Sequence, residues 1–556
     1  MRIFTFTTLL LTFFLQGAFG QQWGDYTLYS VTNSTAAYLV RHDGSVFHSW
    51  TFSTNNRTGY SSYLLPGGEL LRTVKYSPNS FTGGGQSGKL QKVDWDGNIL
   101  WDFVYSTTAY AMHHDVCPMP NGNVLLIAYE VKTAAEATQA GSSQAITIWS
   151  EKIVEVQQTG LTTGEIVWEW HLWDHLVQNH NPVKDNYVTS ISEHPERLNI
   201  NYLTKKDWIH MNGVEYNPIL DQITFSSHNL NEIYVIDHST TTEEAAGSTG
   251  GNAGKGGDFL YRWGNPPAYQ RTGARILNVV HDSHWIPEGV PNAGRLVAFN
   301  NKGYSSTRSS VDQINPPLNG YNYDINGTEA WAPLNFDERH ACNGYSSNMS
   351  SSQQLPNGNA LICMATSGLI YEIDPAGTTI WTKQVSGQVA KAWRYSECYV
   401  NNPLPPMPEI TESDKVLYST SGATYQWYRN GQLIEGATNQ SLEPEDSGIY
   451  LVRITNDIGC HMVYSKGHYF DITTTIKDIA SNLKSVFYPN PTTGILNLTG
   501  PEISENEIEV FNMAGKSLMK VFNSKSLDLS GFPNGIYLIK MKSTASETVQ
   551  KIIISR

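Results

Sequence analysis

Leu90-Gln-Lys-Val-Asp-Trp-Asp-Gly-Asn-Ile-Leu-Trp101 decides the fold. An apolar alternating strand runs into an Asp-Gly turn, and a short strand then ends in tryptophan. Asp-Gly supplies the dihedrals of a tight hairpin between alternating strands. The phrase recurs along the chain: Tyr38-Leu-Val-Arg-His-Asp-Gly-Ser-Val-Phe-His-Ser-Trp50, Ile153 to Trp168, Ile233 to Trp263 across a Gly-rich insertion, and Ile370 to Trp381. A degenerate copy runs from Val311-Asp-Gln-Ile314 to Trp331.

A second hairpin phrase precedes most copies, as in Leu65-Pro-Gly-Gly-Glu-Leu-Leu71, Met119-Pro-Asn-Gly-Asn-Val-Leu-Leu126 and Leu355-Pro-Asn-Gly-Asn-Ala-Leu-Ile362. Each unit then holds four antiparallel strands, and six such units predict a six-bladed β-propeller. The first unit lacks an opening strand. Ala392-Trp-Arg-Tyr-Ser-Glu-Cys-Tyr-Val400, after the last unit, is placed to supply it and close the ring. The tryptophans read as blade-packing groups rather than chemistry.

The rest of the composition agrees. The chain has 556 residues, and its Gly (46), Pro (25), Trp (15) and Tyr (30) counts suit a turn-rich all-β protein. A hydrophobic content of 40% supports packed cores and excludes wholesale disorder. The net charge of −14 argues against nonspecific nucleic-acid binding, which needs basic patches. Five cysteines exclude a disulfide-dense scaffold and leave at least one unpaired; no pair is assignable.

Residues 1–20 read as a secretory signal peptide: a cationic start, an apolar run shorter than the roughly 20 residues of a spanning helix, and a small-residue exit. No later segment is apolar enough to span, so no transmembrane segment is expected in the mature protein. The propeller is expected over 21–402. Asn401-Asn-Pro-Leu-Pro-Pro-Met-Pro408 marks its end. Residues 409–470 follow, then a linker over 471–485 and a last module over 486–556.

Histidines fall at a repeated place. His114 lies six residues before Pro120, His281 six before Pro287 and His210 eight before Pro218. The strand before each Pro-Gly hairpin is the candidate innermost strand, so all three should face one axial funnel. Three imidazoles there suit either a metal or group transfer with a nucleophile, a base and an oxyanion donor. Arg295, Arg308 and Arg339 are near in sequence and offer forks for sulfate or phosphate oxygens. Asp115, Asp207 and Asp282 flank the histidines and could orient them. Spacing alone leaves the choice open.

Asp207-Trp-Ile-His-Met-Asn212, Gln222-Ile-Thr-Phe-Ser-Ser-His228, Glu169-Trp-His-Leu-Trp-Asp-His-Leu-Val177, Tyr261-Arg-Trp-Gly-Asn-Pro266 and His281-Asp-Ser-His-Trp-Ile-Pro-Glu-Gly289 together resemble the arylsulfotransferase family, over about residues 25 to 400. The resemblance implies a six-bladed propeller and a sulfuryl transfer from a phenolic sulfate to a phenol through a sulfohistidine. It implies no cofactor, because 3′-phosphoadenosine phosphosulfate is not needed, and no metal. It assigns catalytic roles to His210, His281, Arg308 and His340; His114 and Asn212 are read beside them as supporting residues that bind substrate. The comparable nucleophile run is Cys342-Asn-Gly-Tyr-Ser346, which puts Cys342 at the histidine's place. Either His340, two residues away, takes the role after a loop shift, or the nucleophile is missing. The alternative is then a non-catalytic propeller binding aryl or sulfated ligands. Thr163-Gly-Glu-Ile-Val-Trp168 echoes a quinone-dehydrogenase docking motif, but other units do not repeat it.

Ala423-Thr-Tyr-Gln-Trp-Tyr-Arg-Asn-Gly431 and Asp446-Ser-Gly-Ile-Tyr-Leu-Val-Arg-Ile454 resemble an immunoglobulin-like sandwich, read as a spacer. Phe487-Tyr-Pro-Asn-Pro-Thr-Thr-Gly-Ile-Leu-Asn-Leu498 and Asn534-Gly-Ile-Tyr-Leu538 resemble a type IX secretion sorting domain of Bacteroidetes. That domain implies the type IX secretion machinery as partner, and a secreted or surface location. Oligomeric state is not legible.

Overall fold

The computed structural model describes residues 22–472, 486–499, 506–512, 515–543 and 547–556. The signal-peptide reading of 1–20 and most of the linker lie outside them. The chain divides into two compact units, one of Met1–Glu443 with Ile449–His468, the other of Pro444–Gly448 with Tyr469–Arg556.

The first unit contains six four-stranded antiparallel sheets, the blades of a β-propeller. Blade 1 is built from both ends of the propeller. Its inner strand is Ala392–Tyr395, paired with Tyr26–Ser30 (Leu28 opposite Trp393), so late residues close the ring. The inner strands of blades 2 to 6 are Thr58–Leu64, Tyr110–Pro118, Met211–Asn217, Val280–Trp285 and Ser351–Gln354.

Burial explains the sequence pattern. Middle strands such as Gln222–Ser227 and Glu232–Asp237 are covered on both faces by neighbouring blades and are buried throughout. Outer strands such as Ile99–Val104 bury only alternate residues, the repeat tryptophan among them. That tryptophan also ties blades together. The indole N–H of Trp50 donates to Asp94 O at 2.9 Å, Trp101 to Thr163 O at 3.0 Å, Trp168 to Thr240 Oγ1 at 3.2 Å, Trp263 to Pro333 O at 2.7 Å and Trp381 to His42 O at 2.6 Å. Each bond crosses to the next blade, so the repeat buries apolar area and satisfies a polar tip in one residue. In blade 5 Trp331 stands outside the strands and donates to Tyr323 O of its own blade at 3.3 Å, the counterpart of its degenerate repeat.

The module after the proline-rich break has a sheet of Ile410–Ser413, Val416–Ser419 and Ser441–Leu442, and a second sheet around Thr424–Arg429 and Gly448–Thr455. It is joined to the propeller rather than strung beyond it. Cys398 and Cys460 form a disulfide, and Arg453 pairs with Glu288 at 2.9 Å. Cys117, Cys342 and Cys363 are free and buried. The second unit contains two small antiparallel sheets around Phe487, Leu496, Ile508, Val510, Ile539 and Ile552. No helix among the described residues is long and apolar enough to cross a membrane.

Candidate functional site

The inner strands begin around one cavity of about 600 Å³. Tyr60 and Lys75 of blade 2, His114 of blade 3, His210 and His228 of blade 4, His281 of blade 5 and Asn348 and Met349 before blade 6 line it. The shared offset has a backbone cause. The pairing register slips between Thr58 and Ser62, Met112 and Val116, Met211 and Gly213, and His281 and His284, once in each inner strand of blades 2 to 5. His114 (φ 47°) and Asp282 (φ 58°) take left-handed conformations within two of these slips, His210 (φ 56°) does so just before a third, and Met349 (φ 54°) does so ahead of the inner strand of blade 6, whose pairing keeps its register. Each costs on the order of 1 kcal/mol or more in a non-glycine residue. A bulge breaks strand alternation and re-aims a side chain, here toward the axis.

The imidazoles form an arc. Ring centroids are 4.8 Å apart for His114 and His210, 5.2 Å for His210 and His228, and 5.6 Å for His228 and His281. The run Gly83-Gly84-Gly85 passes directly over it. A Cβ on Gly85 (φ +70°) would lie 1.9 Å from His114 Nδ1, so only glycine fits there.

Hydrogen bonds assign each ring a different face. His210 Nδ1 lies 2.8 and 3.0 Å from the two Asp207 oxygens, so it carries the proton and Nε2 keeps its lone pair. Burial acts to raise the Asp207 carboxyl, but the hydrogen bond from His210, joined by that ring's charge when it is protonated, outweighs it and holds the group below its usual value. Tyr129 Oη is 3.2 Å from the same nitrogen and donates to Asp207 Oδ1 at 3.3 Å. His281 Nδ1–H donates to Asn301 Oδ1 at 2.7 Å, because the Asn301 amide nitrogen is spent on Ser346 O and Met349 O. Its Nε2 accepts Met349 N–H at 3.1 Å and is therefore occupied.

His114 Nδ1 is 2.8 Å from His113 Nδ1, and His113 Nε2 is 2.7 Å from Glu151 Oε2. Burial drives this inner pair neutral: it lowers His113 to about 3 and raises Glu151 well above the carboxylate range. The relay then runs from Glu151 O–H through His113 to His114 Nδ1, leaving the His114 proton on Nε2 as a donor. Burial also holds His114 and His281 well below the usual imidazole value, and lowers His228 to about 4 with help from His210.

The three repeat histidines therefore line one cavity, whereas the guanidiniums do not reach it. Arg308 donates to Cys342 O at 2.8 Å and lies against Tyr304. Arg295 pairs with Glu338 at 2.7 Å, and Arg339 with Asp312 at 2.6 Å. His340 sits on the outer strand of blade 5, opposite Val311, with Nε2 3.4 Å from Tyr371 Oη. Both Arg308 and His340 stand on the outer half of blade 5, because strands three and four of a blade are radially remote from the axis. Cys342 is buried there too. Asn212 lies in a small space beneath the arc, but Nδ2 donates to Val280 O at 2.8 Å and Oδ1 accepts from Ser226 at 2.6 Å. Its amide joins blades 4 and 5.

The cavity residues not among those expected include Tyr60, Lys75 and His228. Lys75 Nζ lies 4.0 Å over the Tyr60 ring, and no carboxylate pairs with it among the described residues. A sequence signal for His228 exists. It lies seven residues beyond the hairpin at Pro218 to Asp221, against eight before it for His210, and His228 N–H donates to His210 O at 3.1 Å. Among the described residues no group of three or more His, Cys, Asp or Glu is arranged to hold a metal ion.

A family model described as arylsulfotransferase (ASST) matches residues 25–399, and one described as a secretion system C-terminal sorting domain matches 486–555. No curated protein matches the chain. Among solved structures, a protein of unknown function from Bacteroides caccae is 11% identical at TM-score 0.38, covering 66% of this chain and 98% of its own. A streptogramin B lyase is 10% identical at TM-score 0.31, over 66% and 87%. A virginiamycin B lyase from Staphylococcus aureus is 9% identical at TM-score 0.28, over 70% and 90%. At such scores these likenesses bear on neither fold nor function. The sorting domain marks the chain for export, to the cell surface or beyond it. The match over 25–399 takes in all six blades and every cavity histidine: the chain belongs to the arylsulfotransferase family.

Proposed function

We propose that the protein transfers a sulfuryl group from a phenolic sulfate to a phenol, with His210 as the residue that carries it. The observation behind this reading is the Asp207–His210 pair, which holds the proton on Nδ1 and turns a free Nε2 toward the cavity. His281 Nε2 is engaged by Met349 N–H, and His228 is a weak base.

In the first step the Nε2 lone pair attacks sulfur, the S–O bond to the aryl group breaks, and the aryloxide leaves with the electron pair. Lys75 and the His114 Nε2–H stabilise negative charge on the sulfuryl oxygens and the leaving oxygen. Tyr60 offers a face for the phenyl ring. The Nδ1 proton of the sulfated ring is shared with Asp207, which spreads its positive charge. In the second step an acceptor phenol attacks sulfur, the N–S bond breaks, and the phenol proton passes to water or the departed aryloxide.

The second reading, a propeller that binds aryl or sulfated ligands without turnover, has one observation in its favour. Blade 6 presents Asn348 and Met349 at its left-handed kink, not an imidazole. Release of p-nitrophenol from p-nitrophenyl sulfate, with and without phenol, separates the two. Phenol-dependent release supports transfer; tight binding without release supports the second reading.

A further inference from the structure

All inner strands run from the histidine cavity to the far end of the axis, where a second cavity of about 240 Å³ opens. Three residues along each strand span about 10 Å, so His114 faces the first cavity and Cys117 the second. A buried ion group separates them. Lys391 Nζ is 2.7 Å from both Asp115 and Asp282, and Tyr63 Oη donates to Asp115 at 2.7 Å.

The wall of the second cavity is apolar and aromatic, from Trp393, Tyr63, Val116 and Pro118. Its polar groups have no task in the transfer described above. His284 is 5% exposed and lines the cavity. Its Nδ1–H donates to Asp282 O at 2.9 Å, which leaves Nε2 as an acceptor, and that atom has no partner among the described residues. An unmatched buried acceptor costs on the order of 1–3 kcal/mol, so its retention needs a reason. Glu215 also lines the cavity and accepts Trp285 N–H through Oε2 at 2.6 Å.

We propose that this cavity binds a small uncharged phenol, its ring against Trp393 and its hydroxyl donating to Nε2 of His284. The size fits: a dry cavity of about 150 Å³ already admits benzene. Two carboxylates face one ammonium at the floor, which disfavours an anion such as a phenyl sulfate. Burial raises Glu215 to about 8, so near neutral pH its carboxyl is largely protonated and able to donate to the phenol oxygen. The proposal does not depend on chemistry in the histidine cavity.

Calorimetric titration of the full chain with p-cresol tests it, on wild type, His210→Ala, His284→Phe and Cys117→Met. The methionine fills the same space without touching the polar floor and serves if His284→Phe misfolds. The expected result is a site that survives His210→Ala, weakens at least tenfold in the other two, and is not competed by phenyl sulfate. Overturning results are no binding, binding lost only in His210→Ala, or equal competition by phenyl sulfate.

Discussion

Asp207 grips His210 Nδ1 through both carboxylate oxygens, at 2.8 and 3.0 Å, three residues upstream of it in the chain. The left-handed kink at His210 turns the ring back onto that carboxylate and leaves its other nitrogen facing the cavity. The proposed chemistry rests on this pair.

Asp207→Asn keeps the shape and removes the charge. An amide can donate to Nδ1 and shift the proton to Nε2, the wrong tautomer for attack. Turnover of p-nitrophenyl sulfate with phenol should fall by about a hundredfold or more, with a smaller change in KM.

Lys75 is the cation of the cavity. Lys75→Ala should lower kcat/KM by roughly ten- to a hundredfold, and Lys75→Arg should recover most of it. Steady-state kinetics on the three proteins check this.

His340 and Arg308 stand on the outer strands of blade 5. Alanine at either position should leave kcat/KM within about a factor of three. A hundredfold loss in His340→Ala would return the nucleophile to that residue.

His238 bridges Asp221 at 2.7 Å and Glu155 at 3.0 Å, between blades 3 and 4. Burial lowers its affinity for protons, but hydrogen bonds and charge from the two carboxylates prevail and raise it to about 9. A raised folded value stabilises fully below the ordinary 6.5 and is lost as pH climbs through 9. The ceiling is about 3 kcal/mol. Denaturant melts of His238→Gln should therefore show a larger deficit against wild type at pH 6 than at pH 10.

The Cys398–Cys460 bridge closes a 62-residue separation. In the chain-entropy account it contributes about 4 kcal/mol. Cys460→Ser should melt earlier, and a reductant should bring wild type down to the variant's midpoint without moving the variant.

The propeller was legible because five of the repeat tryptophans do two jobs, burial and an indole bond to the next blade, which tie their spacing to the blade period. Blade 5 was degenerate in sequence where Trp331 abandons that bond. Ring closure was legible from a strand left over at 392 and one missing at the start. The three axial histidines were visible as an offset from the Pro-Gly hairpins, since that offset measures height along an inner strand. The cation was not, because nearness in sequence to His281 says nothing about radius: Arg308 lies two strands out. Lys75 and His228 come to the axis from second strands, across hairpins, where the offset rule does not look.

The most direct test is to mix the full chain with p-nitrophenyl sulfate without acceptor, quench within one turnover at alkaline pH, and map the added sulfuryl mass by peptide mass spectrometry. The account predicts the group on His210, released when phenol is added before the quench. Sulfuryl on another residue, or phenol-dependent turnover with no modified histidine, contradicts it.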